Sequence, residues 1–505
     1  MNAPARSDWD AATARFGRIA ALDDALGLIA WDQRTMMPEG SAESRAELMA
    51  TLEVMRHELL TDPALADHVA GAEAEVARDD GPDGDWRRAN VREMARGLAH
   101  ARALPSDLVA ARARAEGACE IRWRAARPAG DYAAVLPALA EVLDLAREAA
   151  AAKGAALGLA PYDALLDQYE AGLRADRVDT LFARLEVFLP DFLGRALEHQ
   201  ARQPAPLPIA GPFPVARQRD IAHELMAALG FDFRMGRLDE TLHPFSGGAA
   251  DDHRITTRYD EADFAPALMG VLHETGHALY DFGLPRAWRH QPVGGARGMV
   301  IHESQSLLVE MGVCRSRAFL GWAAPRIAAA FGGDGPAWSA DNQWRLAALV
   351  KPDFIRVDAD EVTYPAHILL RTRLERALLD RSLALADLPG AWNDGMRALL
   401  GIVPPDDRLG CLQDIHWYVG SFGYFPTYTL GALAGAQMLA AARRADAGIE
   451  PGIARGDFAP LFAWLRANVH GYGSLLFADE LIARATGAPL DTAAFEAHLA
   501  ARYLA

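Results

Sequence analysis

The stretch VLHETGHALY, residues 271–280, sets two histidines four positions apart with a glutamate directly after the first. On a helix, residues four apart lie on one face, one turn from each other, so His273 and His277 can share a metal ion. Glu274 then reaches a water activated by that ion, as a general base must. The flanks suit a helix, with Asp263 and Pro266 at its start and Gly283 and Pro285 at its end. The spacing predicts a helix of about 18 residues with the motif in its middle. At roughly 3% His and 7% Glu, about 0.03 such matches arise by chance in a chain of this length. The bland alternative is two partly buried histidines bonded to backbone or carboxylate, with Glu274 exposed.

A catalytic zinc takes three protein ligands and keeps one open position. A third histidine six residues after His277, with a glycine three residues after it, would complete one known pattern. Tyr280 and Gly283 stand there instead, which excludes it. The other common solution is a glutamate from a second helix downstream. GMVIHESQSLLVEMG, 298–312, is apolar at helical spacing and carries Glu303, 26 residues after His277. The intervening GLPRAWRHQPVGGARG is rich in turn formers and long enough to return the chain. Glu310, two turns further along, is the rival ligand. His302 points about 100° away from Glu303 on a helix, so it supports the site from behind or faces substrate.

The rest of the chain predicts an almost all-helical protein with one small sheet. Residues 1–200 are rich in Ala, Leu, Arg and Glu at helical spacing. RQPAPLPIAGPFP, 202–214, must be a loop or extended connection, and is either a domain boundary or a surface loop. HRITTRYD, 253–260, alternates as a strand does, and FDFRMGRLDE, 231–240, is a weaker candidate to pair with it. The 505 residues read as a single domain, with 1–200 a helical N-terminal part and 215–505 the part carrying the motifs.

Composition sets the partners. With 51 Lys and Arg against 68 Asp and Glu, the net charge of −17 disfavours nucleic acid and anionic membrane surfaces. No run of apolar residues suggests a membrane span or a secretory signal. Three scattered cysteines, Cys119, Cys314 and Cys411, suit a reducing compartment, so the expectation is a cytoplasmic protein.

The motifs extend beyond HETGH. HPF at 243–245, DHRIT at 252–256, HESQS at 302–306, IRVDADEVTY at 355–364 and GCLQDIHWYVGSFGYFPTY at 410–428 follow in order. Together they resemble the carboxypeptidase Taq family of zinc metallocarboxypeptidases. Weaker similarity reaches WDQRTMMPEG at 31–40 and YDALLDQYEAGL at 162–173, where Ala171 replaces a usual proline. The resemblance implies a mainly α, saddle-like fold with a deep central cleft and a small β-sheet beside the zinc helix, generally as a homodimer. It implies removal of single C-terminal amino acids from peptides, with broad specificity and one zinc that cobalt sometimes replaces. His273, His277 and Glu303 carry over as ligands and Glu274 as base.

Peptide hydrolysis also needs hydrogen-bond donors aimed at the developing oxyanion. In similar zinc peptidases a histidine and one or two tyrosines serve, which makes His416, Tyr424 and Tyr428 the candidates, Tyr424 ahead of Tyr428. Either tyrosine could instead only pack a wall. A free C-terminal carboxylate needs a fixed arginine. Arg356 leads and Arg254 follows, unless nearby Asp358, Asp360 or Asp252 ties them up. His243 is expected to touch substrate, Gln413 and Asp414 to brace the His416 segment. The strand at 253–260 is expected to take peptide by main-chain hydrogen bonds.

Overall fold

Small and straight-chain side chains lose little freedom in a helix, and the Ala-, Leu- and Arg-rich segments fold accordingly. The computed structural model describes residues 7–241 and 245–505. Helix accounts for 70% of the chain, with one three-stranded sheet. The long helices are closed by side chains and glycines at their ends. Ser7 accepts from the Asp10 amide to start Asp8–Thr35, and Asp131 accepts from Ala134 to start Tyr132–Leu157. Among the described residues no helix is long and apolar enough to cross a membrane. All three cysteines are buried and free.

The chain folds as two compact units. The first takes the chain up to Ala101, Pro206–Ala347 and Gly435–Leu490. Its N-terminal core packs Phe16 and Ile19 of Asp8–Thr35 against Leu65 and Val69 of Pro63–Val76 and Met94 and Leu98 of Gly84–Arg102. Burial of such side chains contributes about 1.5–3 kcal/mol each. The second unit takes Arg102–Ala205, Ala348–Ala434 and Asp491–Ala505. At its centre runs Tyr364–Leu379, a helix buried on most of its surface. Its C-terminal helix Ala493–Tyr503 is tied down by Glu361, which accepts from Arg502 at 3.0 Å and Tyr503 at 3.2 Å and meets His498 at 2.7 Å.

The sheet belongs to the first unit and orders its strands β1 (Gly236–Glu240), β3 (Asp252–Thr257), β2 (Ser246–Ala249). β1 runs parallel to β3 and β2 antiparallel to it. Both expected strands form and pair. β2 was not expected, because SGGA has no strand-forming side chains and is held by its neighbour alone. The central place of β3 narrows one expectation. β1 pairs with it along 253–257 and β2 along 252–255, so over 253–255 neither edge is free for a substrate backbone. Register partners Arg237 and Arg254 lie over the Trp31 ring at 5.0 and 4.4 Å, each paired with its own aspartate, Asp239 or Asp252. This anchors the sheet to Asp8–Thr35 and accounts for the tryptophan of WDQRT.

Candidate metal centre and hydrolytic residues

The metal-ligand helix forms over Ala265–Phe282, the 18 residues its caps predict, with the Asp263 carboxylate accepting from the Ala265 amide. The downstream helix is α-helical over Met299–Leu307 and then widens into a π turn over Leu308–Cys314. The two helices approach closely at Gly276. A Cβ there would lie 2.6 Å from the Gln305 carbonyl oxygen, so the glycine of HETGH is a packing requirement. Within HESQS, Ser306 donates to the Glu303 carbonyl at 2.7 Å and Gln305 meets buried His470 at 2.9 Å. These bonds hold the segment against its neighbours.

This packing brings His273, His277 and Glu303 together, with one potential ligand atom from each lying within 4.8 Å of the others. Glu303 Oε2 is 3.9 Å from His273 Nε2 and 3.4 Å from His277 Nε2. Bonds of roughly 2.0–2.2 Å at tetrahedral angles would separate ligand atoms by about 3.4 Å, so the N₂O set fits a zinc-sized ion after small side-chain shifts. Glu310 takes a different place: its Oε2 bonds His273 Nδ1 at 3.0 Å, and Arg315 holds its other oxygen. This fixes the His273 ring with Nε2 turned towards Glu303. His277 has an equivalent support that the sequence located only in outline. Its Nδ1 lies 2.6 Å from His302 Nδ1, and His302 Nε2 lies 3.3 Å from Asp281.

Electrostatics suit a cation. Burial opposes charge on His273, yet Glu303, Glu310 and Glu274 outweigh it and push the imidazole up to about 10. Burial likewise opposes ionisation of Glu310, but Arg315 and His273 pull its carboxyl down to about 2. The same carboxylates that favour a proton on His273 would favour a metal cation in its place.

In the second unit, buried Arg356 and Arg371 form one cluster with the partly buried Asp414, His416 and Tyr428. Arg356 is 7% exposed, and its Nε and Nη2 both donate to Asp414 Oδ1, at 3.0 and 2.8 Å. Arg371 donates to Oδ2 at 2.6 Å. Asp414, not Asp358 or Asp360, is therefore the carboxylate partner of Arg356. Burial opposes ionisation of Asp414, but the two guanidiniums hold its carboxyl well below the usual range. Gln413 accepts from the Arg356 amide at 2.8 Å and donates to the carbonyls of Phe354, Leu409 and Gly410. Both residues brace the segment leading to His416.

His416 Nε2 lies 3.2 Å from the Tyr428 hydroxyl, and the Tyr428 ring lies under the Arg356 guanidinium at 4.9 Å. Burial, with the two arginines, holds His416 down to about 4 despite Asp414, so it is neutral near pH 7. Its Nδ1 is buried with no hydrogen-bond partner among the described residues. The Tyr424 ring stands 5.5 Å from His416 and edge-on to Tyr169 at 4.9 Å. Arg254, the second candidate anchor, lies on the sheet of the first unit, bonded through Nε and Nη2 to Asp252. His243 falls outside the described residues.

Comparison with known proteins places the chain in a family. The family model described as carboxypeptidase Taq (M32) metallopeptidase matches residues 11–503. The chain belongs to that family. This M32 chain is 42% identical to thermostable carboxypeptidase 1 of Thermus thermophilus, over 97% of each protein. It is 34% identical to carboxypeptidase 1 of Bacillus subtilis, over 96% of each. Among solved structures it superposes on Trypanosoma cruzi metallocarboxypeptidase 1 with a TM-score of 0.95 at 37% identity, covering 98% of this chain and 99% of that one. The M32 carboxypeptidase from Deinococcus radiodurans gives 0.90 at 34% identity, covering 98% of each. The M32 chain is thus a peptide-bond hydrolase of a metallocarboxypeptidase family, and its His-His-Glu group is a possible site for the metal.

Proposed function

We propose that this protein is a zinc-dependent carboxypeptidase that removes single amino acids from the C-termini of peptides with broad specificity. The observation that carries the reading is the His273–His277–Glu303 group with Glu274 beside it, on a chain of the carboxypeptidase Taq family. His273, His277 and Glu303 would hold the ion. When bound, zinc lowers the pKa of a water molecule and polarises the scissile carbonyl. Glu274 takes the proton from the attacking water and passes it to the leaving amine. His416, kept neutral by its surroundings, donates its N–H to the oxyanion together with Tyr424 or Tyr428. Arg356 is the proposed anchor for the substrate carboxylate. Asp414 occupies its Nε and Nη2, which leaves Nη1 for that contact. Arg254 is the second proposed anchor, and His243 is proposed to contact substrate or shape its pocket. The full reading is a single cytoplasmic catalytic domain, working as a homodimer, in which cobalt can replace zinc.

Glu274→Gln tests the base directly. The variant should retain stoichiometric zinc and lose turnover by about 10²–10⁴-fold. Near-wild-type turnover would remove Glu274 from the mechanism. The same peptides with an amidated C-terminus test the exopeptidase assignment: cleavage at an unchanged rate would make the enzyme an endopeptidase.

A further inference from the structure

The helix Tyr364–Leu379 carries two charged residues one turn apart, Arg371 and Glu375, both fully buried. They grip the catalytic segment on either side of His416. Arg371 holds Asp414, two residues before it. Glu375 holds the residues after it: Oε2 accepts from the Trp417 indole at 2.9 Å, and Oε1 accepts from the Gly423 amide at 2.7 Å. A third donor, the Tyr162 hydroxyl, reaches Oε1 at 3.0 Å from the helix Pro161–Tyr169.

The turn between these two contacts is short and closed. The Ser421 amide donates to the His416 carbonyl at 2.8 Å, and Gly420 and Gly423 both adopt positive φ, +71° and +86°. Gly423 has a second constraint, since a Cβ there would lie 2.9 Å from the Leu165 backbone. The Gly423 amide is left facing inward, and Glu375 supplies its acceptor. Among the described residues no lysine or arginine bonds this carboxylate. Arg371 is committed to Asp414, and Arg376 lies over the Tyr162 ring at 5.4 Å.

We propose that Glu375 is a positioning residue for hydrolysis, its carboxylate fixing both ends of the Trp417–Gly423 turn and thereby the places of His416 and Tyr424. This rests on the reading of His416 and a tyrosine as oxyanion donors. The contacts lie within the protein and involve no substrate atom, so their loss acts on turnover through the geometry of the donors. A displacement of about 1 Å at such donors is enough to cost on the order of 100-fold in rate.

The test compares Glu375→Ala, Glu375→Gln and Trp417→Phe in the full-length, zinc-loaded enzyme. Two readouts are taken: backbone amide exchange over residues 416–424 by mass spectrometry, and kcat and KM on a blocked dipeptide. Glu375→Ala should speed exchange in this segment at least tenfold and lower kcat by about 10–100-fold, with KM within about threefold and zinc content unchanged. Glu375→Gln keeps one acceptor oxygen and should fall between Ala and wild type. Trp417→Phe removes a single donor, leaves the carboxylate in place and gives a milder form of the same split, which keeps the test open should Glu375→Ala not fold. Unchanged exchange over 416–424 in both Gln and Phe variants overturns the positioning role. Faster exchange with unchanged kcat instead overturns the assignment of His416 and Tyr424 as donors, and the proposal with it.

Discussion

The metal-ligand cluster and the His416 turn both keep polar groups away from water, but they are held by opposite means. Around His273 and His277 the supports are charged: Glu303 and Glu310 meet the imidazoles, Asp281 backs His302 behind His277, and Arg315 neutralises Glu310. Around the turn, Glu375 meets only neutral donors, an indole, an amide and a phenol. The first region is an excess of buried negative charge that a cation completes. The second is a carboxylate with no counter-ion, and burial pushes it up to about 7 although its three donors favour the charged form. A surplus of uncompensated charge marks where a ligand is to come, whereas a satisfied hydrogen-bond set marks a part of the scaffold.

The most severe way to break the contrast is at Glu303. Glu303→Ala should abolish stoichiometric metal binding, read by elemental analysis after gel filtration, and lower activity by more than about 10³-fold. If metal remained, Glu310 would have to be the ligand and the distances would mislead. A smaller effect lies at Glu375. Its folded pKa stands above the ordinary 4.5, so the folded state binds a proton more tightly than the unfolded one. That contribution to stability is complete below about pH 4.5 and is lost as pH rises towards 7, a change of about 3 kcal/mol. Urea midpoints for wild type and Glu375→Gln at pH 5 and 7.5 should therefore diverge, with wild type losing more as pH rises. Parallel midpoints would show that Glu375 titrates normally. The mildest change is Glu310→Gln, which keeps an acceptor for His273 but removes the charge. Zinc affinity measured against a competing chelator should weaken by about 10–100-fold, with the zinc-saturated enzyme still active.

How far each region could be read in advance follows from the range of its contacts. His273, Glu274 and His277 lie within one helical turn, so periodicity alone places them on one face, and the caps at Asp263 and Gly283 bound the helix. Glu303 needed one further step, a second amphipathic helix at a workable distance. Glu310 remained a rival because, seven residues on, it shares the face of Glu303. Only packing assigns one carboxylate to the Nε2 side of His273 and the other to Nδ1. The sheet was half legible: β1 and β3 carry alternation, while the SGGA strand carries none. The centrality of β3, bonded on both sides over 253–255, is a matter of strand order that no local pattern encodes.

The His416 region was legible as a motif and opaque as a mechanism. Arg356 could be named as a functional arginine, but its partner Asp414 lies 58 residues away, and the carboxylate that holds Gly423 lies 48 residues away. Arg371 and Glu375 were passed over, since an Arg and a Glu one turn apart on a helix ordinarily mark a solvated face. Here both are fully buried and turned to the segment around His416.

By itself, then, the sequence determined the helical class and set His273, Glu274 and His277 on one helix as candidates, because these depend on spacing within single helices and on the intrinsic preferences of short segments. The tertiary structure alone decided which carboxylate completes the metal group, which strand is shielded, and which buried anion shapes the turn behind His416. Those choices depend on burial and on contacts between distant segments, where desolvation makes a charge either satisfied or untenable, and that is a property of the packed chain.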